Sequence, residues 1–212
     1  MTPLDKFSAA VAALPLVAIL RGLHPGEAVA MGEALCGTGW RLIEVPLNSP
    51  QPLASIEALA DAFPHALVGA GTVLSVADVR NVHAAGGQLV VSPNFNPEVV
   101  RETVRLGMVS LPGVITPSEA FAALEAGAHG LKLFPAEMLS PAVLKALRAV
   151  LSPPTLLLPV GGVGLHNMAE WRAAGASGFG IGSALYKPGM SAAQVKERAT
   201  QFIASYAGKI SA

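Results

Sequence analysis

The amino-acid sequence predicts an α/β fold, a single (β/α)8 TIM barrel domain over residues 1–212, from three observations. Eight short apolar segments recur along the chain, each bounded by Gly, Pro, Ser or Asn. A stretch with apolar residues at helical spacing follows each segment. The chain has 212 residues, 52% of them hydrophobic and 13% charged, without a linker or a composition shift. These values suit one compact barrel with short loops.

The predicted strands lie, in chain order, within the segments PLVAILRG, RLIEVPLNSP, ALVGAGT, QLVVSPN, MVSLPGV, GLKLFPAE, LLLPVGGV and GFGIGS. Such nearly continuous apolar strands are typical of parallel sheets buried under helices. Ala, Leu and Val recur at intervals of three and four residues in the stretches between them, which predicts helices that include residues 26–38, 51–63, 76–85 and 116–126.

An open doubly wound sheet is the alternative architecture. That fold usually has fewer strands and places a glycine fingerprint after the first strand. This chain has Arg21-Gly22-Leu23-His24 at that point. The closed barrel is therefore the better prediction.

The charge balance and the cysteine content restrict the class of partner. The chain has 14 Lys and Arg, 14 Asp and Glu and a formal net charge of +0, so it lacks the positive field that nucleic acids or anionic membranes attract. The apolar run over residues 11–20 is too short to span a bilayer and ends without a cleavage site. The single cysteine, Cys36, is predicted to be a buried thiol. We expect a cytoplasmic protein that binds neither nucleic acid nor membrane.

Four charged residues interrupt the apolar strands. Arg41 begins the second strand, at the barrel end that usually serves stability, whereas Arg21, Glu44 and Lys132 lie within or at the end of strands one, two and six. Alternation turns Glu44 and Lys132 inward if their apolar neighbours face the helices. We therefore expect a carboxylate and an amine to share the interior.

A buried amine beside a carboxylate predicts imine chemistry. Burial and neighbouring cations disfavour the ammonium form, so Lys132 can attack a carbonyl carbon, and Glu44 can move the protons directly or through one water. The structural alternative is a buried ion pair that only fills the barrel. A hydrophobic pair would fill it at least as well, which favours an imine-forming lyase.

Other strand ends carry groups that suit an anionic substrate. Glycines follow strand seven at Gly161 and Gly162, and Gly182 and Ser183 follow strand eight, where barrels of this kind often bind phosphate. These glycines alternatively serve only tight turns. Thr72 follows strand three, where its hydroxyl is a substrate ligand or a helix cap. Arg21 is either a fork for a carboxylate or part of a surface ion pair. The five histidines have no metal-ligand spacing, so we expect no metal.

These motifs together resemble one enzyme family over essentially the whole chain. The segments AILRG, IEVPLNSP, VGAGTVL, SPN, LPGV, LKLFPAE, VGGV and GIGSALY are similar to the class I aldolases of the KDPG/KHG family, which act on 2-keto-3-deoxy-6-phosphogluconate or 6-phosphogalactonate. The resemblance implies a (β/α)8 barrel, a homotrimer and catalysis without a metal or another cofactor. It also implies that Lys132 forms the imine with pyruvate and that Glu44 shuttles protons.

The same resemblance assigns the substrate contacts. Arg21 and Thr72 would hold the keto-acid end, and the 6-phosphate would lie on two pairs of residues, Gly161 with Gly162 and Gly182 with Ser183. Gluconate-type members have an Arg where this chain has Asn48. Arg21 therefore either takes over the carboxylate or serves the far end of the substrate.

Two positions favour the galacto substrate. Asn48 resembles the phosphogalactonate enzymes, and so does Val160, where gluconate-type members have Thr. The expected reaction is cleavage of 2-dehydro-3-deoxy-6-phosphogalactonate to pyruvate and glyceraldehyde 3-phosphate. Alternatives are the gluconate epimer, 4-hydroxy-2-oxoglutarate, and a barrel that binds a sugar phosphate without cleaving it.

Overall fold

The computed structural model describes residues 1–208 and has an α/β fold built on parallel strands. Its nine strands are β1 (Leu16–Ile19), β2 (Leu42–Pro46), β3 (Leu67–Gly71), β4 (Leu89–Val91), β5 (Val109–Leu111), β6 (Gly113–Val114), β7 (Leu131–Leu133), β8 (Leu157–Pro159) and β9 (Phe179–Ile181). Every one lies within one of the eight predicted apolar segments.

Helices follow the strands, as the periodicity predicts. They are α1 (Pro3–Ala13), α2 (Pro25–Cys36), α3 (Pro52–Ala62), α4 (Val76–Ala84), α5 (Pro97–Arg105), α6 (Pro117–Glu125), α7 (Pro141–Val150), α8 (Met168–Ala173) and α9 (Ala192–Tyr206), with a 3-10 turn at Ala136–Met138. The four helices with predicted bounds are confirmed to within two residues at each end. Six helices begin with Pro, whose fixed φ and missing N–H suit a first helical position.

The strands form two parallel sheets. Six strands are ordered β5-β4-β3-β2-β1-β9, and three are ordered β6-β7-β8. A single bridge between Val160 and Gly180 joins the ends of β8 and β9. The segment MVSLPGV was predicted as one strand, but Pro112 divides it because proline has no N–H for the ladder. Consequently β5 pairs with β4, and β6 pairs with β7.

The core has two layers, separated by the strands. An outer layer packs strand residues such as Ile43, Val45, Leu131 and Leu133 with the helices. An inner layer comprises Phe7, Ala10, Val17, Leu42, Leu67, Leu89, Val91, Val109, Leu111 and Leu158. Because Leu42 belongs to the inner layer, alternation along β2 turns Glu44 inward too. The predicted inward orientation of Glu44 and Lys132 is confirmed, because both line one small cavity together with inner-layer residues such as Val17 and Leu158.

The two ends of the strand assembly differ. Helix α1 contributes Phe7 and Ala10 to the inner layer, and Lys6 Nζ donates to Gln88 Oε1 at 2.8 Å just before β4. The loops at the carboxyl ends of the strands meet at the opposite side, where the candidate site lies. Arg41 donates to the carbonyls of Cys36 and Trp40, both at 2.8 Å, and so serves the fold. No helix within residues 1–208 has the length and apolar character to cross a membrane.

Candidate active site

Glu44 and Lys132 are brought into the inner layer by β2 and β7. Glu44 is 2% exposed and Lys132 is 6% exposed. Glu44 pairs in register with Ile19 of β1 and Gly69 of β3, so its backbone is fixed on both sides. Its carboxylate lies over Gly71, where an added Cβ would overlap Oε2. Glycine at this position is therefore what leaves room for the carboxylate.

Burial shifts the pKa values of Glu44 and Lys132 in the directions that favour proton exchange between them. Desolvation raises the pKa of Glu44 to about 7, although the positive charges of Lys132 and Arg21 oppose the shift. Desolvation also lowers the pKa of Lys132, which Glu44 opposes and Arg21 reinforces. Glu44 Oε2 is buried without a hydrogen-bond partner among residues 1–208. The carboxyl group is thus poised to accept or release a proton near neutral pH.

The space beside these two side chains is small and apolar. Lys132 Nζ lies 4.4 Å from the centroid of the Phe134 ring, and in the described part of the chain no carboxylate lies within 4.0 Å of it. A cavity of about 10 Å³ touches Glu44, Lys132, Val17 and Leu158. That volume is close to the minimum that holds one water molecule. The two groups can therefore exchange protons through a bridging molecule.

A much larger cavity of about 650 Å³ adjoins the small one, because Ile19, Val160 and Gly180 line both. Five of the predicted site residues line it, namely Arg21, Gly161, Gly162, Gly182 and Ser183. Its volume is typical of small-molecule sites. Seven of the eight predicted site residues therefore line two adjoining compartments, with an amine and a carboxylate in the inner one and a glycine-rich wall in the outer one.

The glycine-rich wall has the features of an anion site. Gly161 and Gly162 have φ of 105° and 61°, a region that favours glycine. Within residues 1–208, the backbone N–H groups of Gly162 and Ser183 have no backbone or side-chain acceptor. Free N–H groups at strand ends are suited to an oxyanion.

Arg21 is oriented by Asn48 of the loop that follows β2. Its Nη1 donates to Asn48 Oδ1 at 2.6 Å, which links the end of β1 to the loop after β2. Arg21 is exposed and lines the large cavity. The remaining guanidinium donors are therefore available to a ligand in that cavity.

Thr72 lies apart from both cavities, directly after β3. Its φ is 58°, a conformation that is strained for a β-branched residue. The helix-cap interpretation is wrong, because Ser75 caps α4 in a reciprocal box with Asp78. In the described chain, the Thr72 hydroxyl makes no hydrogen bond.

The large cavity also contains charged residues that the sequence did not indicate. They are Glu137, His166, Lys187 and Arg198. Glu137 follows Lys132 within the LKLFPAE segment and was available to sequence reasoning. Arg198 lies on α9, far along the chain, where an arginine on an amphipathic helix has no local feature that separates it from a surface residue.

Comparisons with known proteins identify the family of the chain. The family model of KDPG and KHG aldolase matches residues 8–202. A protein of Rhizobium meliloti named "Probable 2-dehydro-3-deoxy-6-phosphogalactonate aldolase" is 51% identical over 193 residues, which are 91% of each chain. The 2-dehydro-3-deoxy-6-phosphogalactonate aldolase of Escherichia coli is 46% identical over 194 residues, 91% of this chain and 95% of that one.

One similar solved structure contains an intermediate of its own reaction. The KDPG aldolase of Legionella pneumophila, with pyruvate captured at low pH as a covalent carbinolamine intermediate, matches with a TM-score of 0.81 and 28% identity over 91% of this chain and 95% of that chain. The match of the family model over most of the chain and the two relatives lead to one conclusion. This chain belongs to the KDPG and KHG aldolase family.

Proposed function

We propose that this chain is a class I aldolase that cleaves 2-dehydro-3-deoxy-6-phosphogalactonate to pyruvate and glyceraldehyde 3-phosphate. The observation that carries the proposal is the buried pair of Glu44 and Lys132 beside a cavity with a glycine-rich wall. The names of the two most similar relatives reported above support the galacto substrate.

Lys132 supplies the nucleophile. Its neutral amine attacks C2 of the keto acid, and the carbonyl oxygen takes a proton to give the carbinolamine. Loss of water then leaves a protonated imine, which acts as an electron sink without a metal or another cofactor. The low pKa that burial gives Lys132 raises the fraction of neutral amine.

Glu44 manages the protons of this sequence. When the C4 hydroxyl loses its proton, the electrons of the C3–C4 bond flow into the imine, glyceraldehyde 3-phosphate leaves and an enamine remains. Protonation at C3 and hydrolysis then release pyruvate and restore the amine. A carboxyl with a pKa of about 7 can give and take protons in successive steps.

The outer cavity binds the rest of the substrate. Gly161, Gly162, Gly182 and Ser183 receive the 6-phosphate through backbone N–H groups, which supply binding energy remote from the reacting carbons. Arg21, oriented by Asn48, holds the substrate nearer its keto-acid end. Thr72 lines neither cavity, so the expected contact of its hydroxyl with the substrate is not part of this arrangement. This arrangement has two versions. In one, Arg21 contacts the carboxylate of the substrate, and in the other it contacts another part of the substrate.

We propose further that residues 1–212 form one domain, a complete (β/α)8 barrel. The Val160–Gly180 bridge supports closure on one side, and the chain continuity from β5 through Pro112 to β6 supports it on the other. The family resemblance supports a homotrimer in the cytoplasm. Light scattering after gel filtration measures the number of subunits.

The experiment that tests the aldolase is borohydride reduction in the presence of pyruvate, followed by intact mass and peptide mapping. One reduced pyruvyl adduct on Lys132 is expected, and none in Lys132→Ala. A folded parent protein without an adduct would exclude the aldolase and favour a barrel that only binds sugar phosphates. Steady-state rates on the galactonate epimer, the gluconate epimer and 4-hydroxy-2-oxoglutarate then identify the substrate.

A further inference from the structure

Arg198 is a charged residue that lines the large cavity and is suited to bind a ligand there. It lies on α9 and lines the cavity together with Gly162, Gly182 and Ser183. Neither its spacing in the sequence nor the proposed reaction sequence gives it a role. Its side chain is half-buried, so part of its hydration is lost in the unliganded protein.

The guanidinium of Arg198 has few partners. Its Nη1 donates to the carbonyl of Ala184 at 3.3 Å, a long hydrogen bond. No carboxylate lies within 4.0 Å of it in residues 1–208. An arginine has five N–H donors, and a half-buried one without an acid leaves most of them unused. The hydrogen bond to Ala184 holds the guanidinium one residue beyond Ser183, at the wall proposed for the phosphate.

The same cavity contains an unfavourable charge for an anion. The carboxylate of Glu137 packs on Gly161 so closely that an added Cβ there would overlap it. A phosphate carries close to two negative charges at neutral pH and would be repelled by this carboxylate. Backbone N–H groups offer only partial positive charges, so a full cation that lines the same cavity offsets this repulsion more strongly.

Among the other cations that line the cavity, two are less suited to this task. Arg21 is engaged with Asn48 at 2.6 Å, on the side of β1 and β2. Lys187 is exposed and solvated, so a contact with it gains less. Arg198 is half-buried and its planar fork matches the oxygens of a phosphate.

We propose that Arg198 binds the 6-phosphate of the substrate together with the Gly182–Ser183 backbone, and thereby sets the preference for phosphorylated over unphosphorylated keto acids. This inference rests on the proposed function. It adds a residue of α9 to a site otherwise built from the ends of strands, and it gives the charge of Glu137 a counterpart across the cavity.

The test compares Arg198→Ala with the parent on 2-dehydro-3-deoxy-6-phosphogalactonate and on the unphosphorylated 2-dehydro-3-deoxygalactonate. The value of kcat/KM for the phosphorylated substrate is expected to fall at least about tenfold, mainly through KM, because a charge-assisted contact is lost. The value for the unphosphorylated substrate should stay within about twofold. Lys196→Ala is the matched control, since Lys196 is an exposed cation of α9 that does not line the cavity.

A structural role gives a different result from a binding role. If Arg198 only stabilises the backbone at Ala184 through its hydrogen bond, Arg198→Ala lowers kcat/KM for both substrates by the same factor. That result would overturn the proposal. Arg198→Lys keeps the positive charge and is expected to recover part of the loss on the phosphorylated substrate alone. Equal losses in the Lys and Ala variants on both substrates would also overturn it.

Binding of inorganic phosphate, measured by calorimetry, separates this proposal from the aldolase itself. Phosphate should bind Arg198→Ala at least about tenfold more weakly than the parent or Lys196→Ala. This measurement requires no turnover. A parent that binds phosphate through Arg198 but forms no pyruvyl adduct would refute the aldolase alone, and an adduct with unchanged phosphate binding in Arg198→Ala would refute the role of Arg198.

Discussion

Val160 lies at the junction of the two cavities. It is buried and lines both the small cavity beside Glu44 and Lys132 and the large one. Its methyl groups also pack near Gly180, where a Cβ would come within 2.7 Å of Val160 Cγ2. A hydroxyl at this position would offer a hydrogen bond to the carbon chain between the keto group and the phosphate.

We predict that Val160→Thr shifts the ratio of kcat/KM values toward the gluconate epimer by about tenfold, because a new hydrogen bond discriminates between hydroxyl epimers. Rates on the two epimers measure the ratio. Val163→Thr is the control, since it introduces the same hydroxyl at another buried position on the wall of the large cavity. A ratio unchanged in Val160→Thr would show that another residue distinguishes the epimers.

Single residues also mark the limit of sequence reasoning. Glu44 and Lys132 could be predicted because charges inside apolar strands are conspicuous, and the structure places both in the inner layer. The left-handed backbone of Thr72 could not be predicted, because nothing in a threonine favours φ of 58°. Arg198 could not be predicted either, because its partners come from a loop 14 residues earlier in the chain.

At the scale of elements, the end of strand β3 leaves space for a side chain of strand β2. It ends in Gly71, over which the Glu44 carboxylate lies. The pairing of Pro46 with Gly71 fixes the register of the two strand ends. The position of the Glu44 carboxylate therefore depends on the absence of a side chain at Gly71 of the neighbouring strand.

Gly71→Ala is expected to lower kcat/KM at least about 100-fold, because displacing a catalytic group by about 1 Å has effects of that size. The rate on the phosphorylated substrate and the yield of pyruvyl adduct measure the loss. Gly26→Ala on α2 is the control, since no other group lies within 4 Å of a Cβ added there. Parental activity in a folded Gly71→Ala protein would show that Glu44 tolerates displacement.

Element bounds were largely predictable, because Pro and Gly mark the ends of most helices and strands in this chain. The division of the fifth predicted strand into β5 and β6 was not predictable. Pro112 has apolar neighbours on both sides and reads as part of one buried segment, and only the pairing partners reveal the change from β4 to β7. Strand pairing is a long-range property, whereas apolar periodicity is local.

At the scale of the whole molecule, the buried carboxyl of Glu44 makes stability depend on pH. Burial raises its pKa from 4.5 to about 7, so between these values the folded protein holds a proton that the unfolded chain has lost. The free energy of unfolding contributed by this group is therefore fully present below pH 4.5 and is lost as the pH rises toward 7.

Glu44→Gln removes this titration. Relative to the parent, the free energy of unfolding of the variant should rise by about 2 kcal/mol between pH 5 and pH 8. Urea unfolding at pH 5, 6.5 and 8 measures the difference, with Glu57→Gln on the exposed face of α3 as the control. A difference between Glu44→Gln and the parent that is constant over this range would contradict the raised pKa.

In the proposed reaction, the filled inner layer restricts the path by which the products leave. Apolar side chains of this layer, among them Val17, Leu158 and Phe7 of α1, occupy the space on the far side of Glu44 and Lys132. The small cavity adjoins the large one through Ile19, Val160 and Gly180. In the proposed reaction the three-carbon phosphate occupies the outer compartment while pyruvate is still bound to Lys132. The aldehyde must therefore depart first and pyruvate second, and in the direction of synthesis pyruvate must enter before the aldehyde.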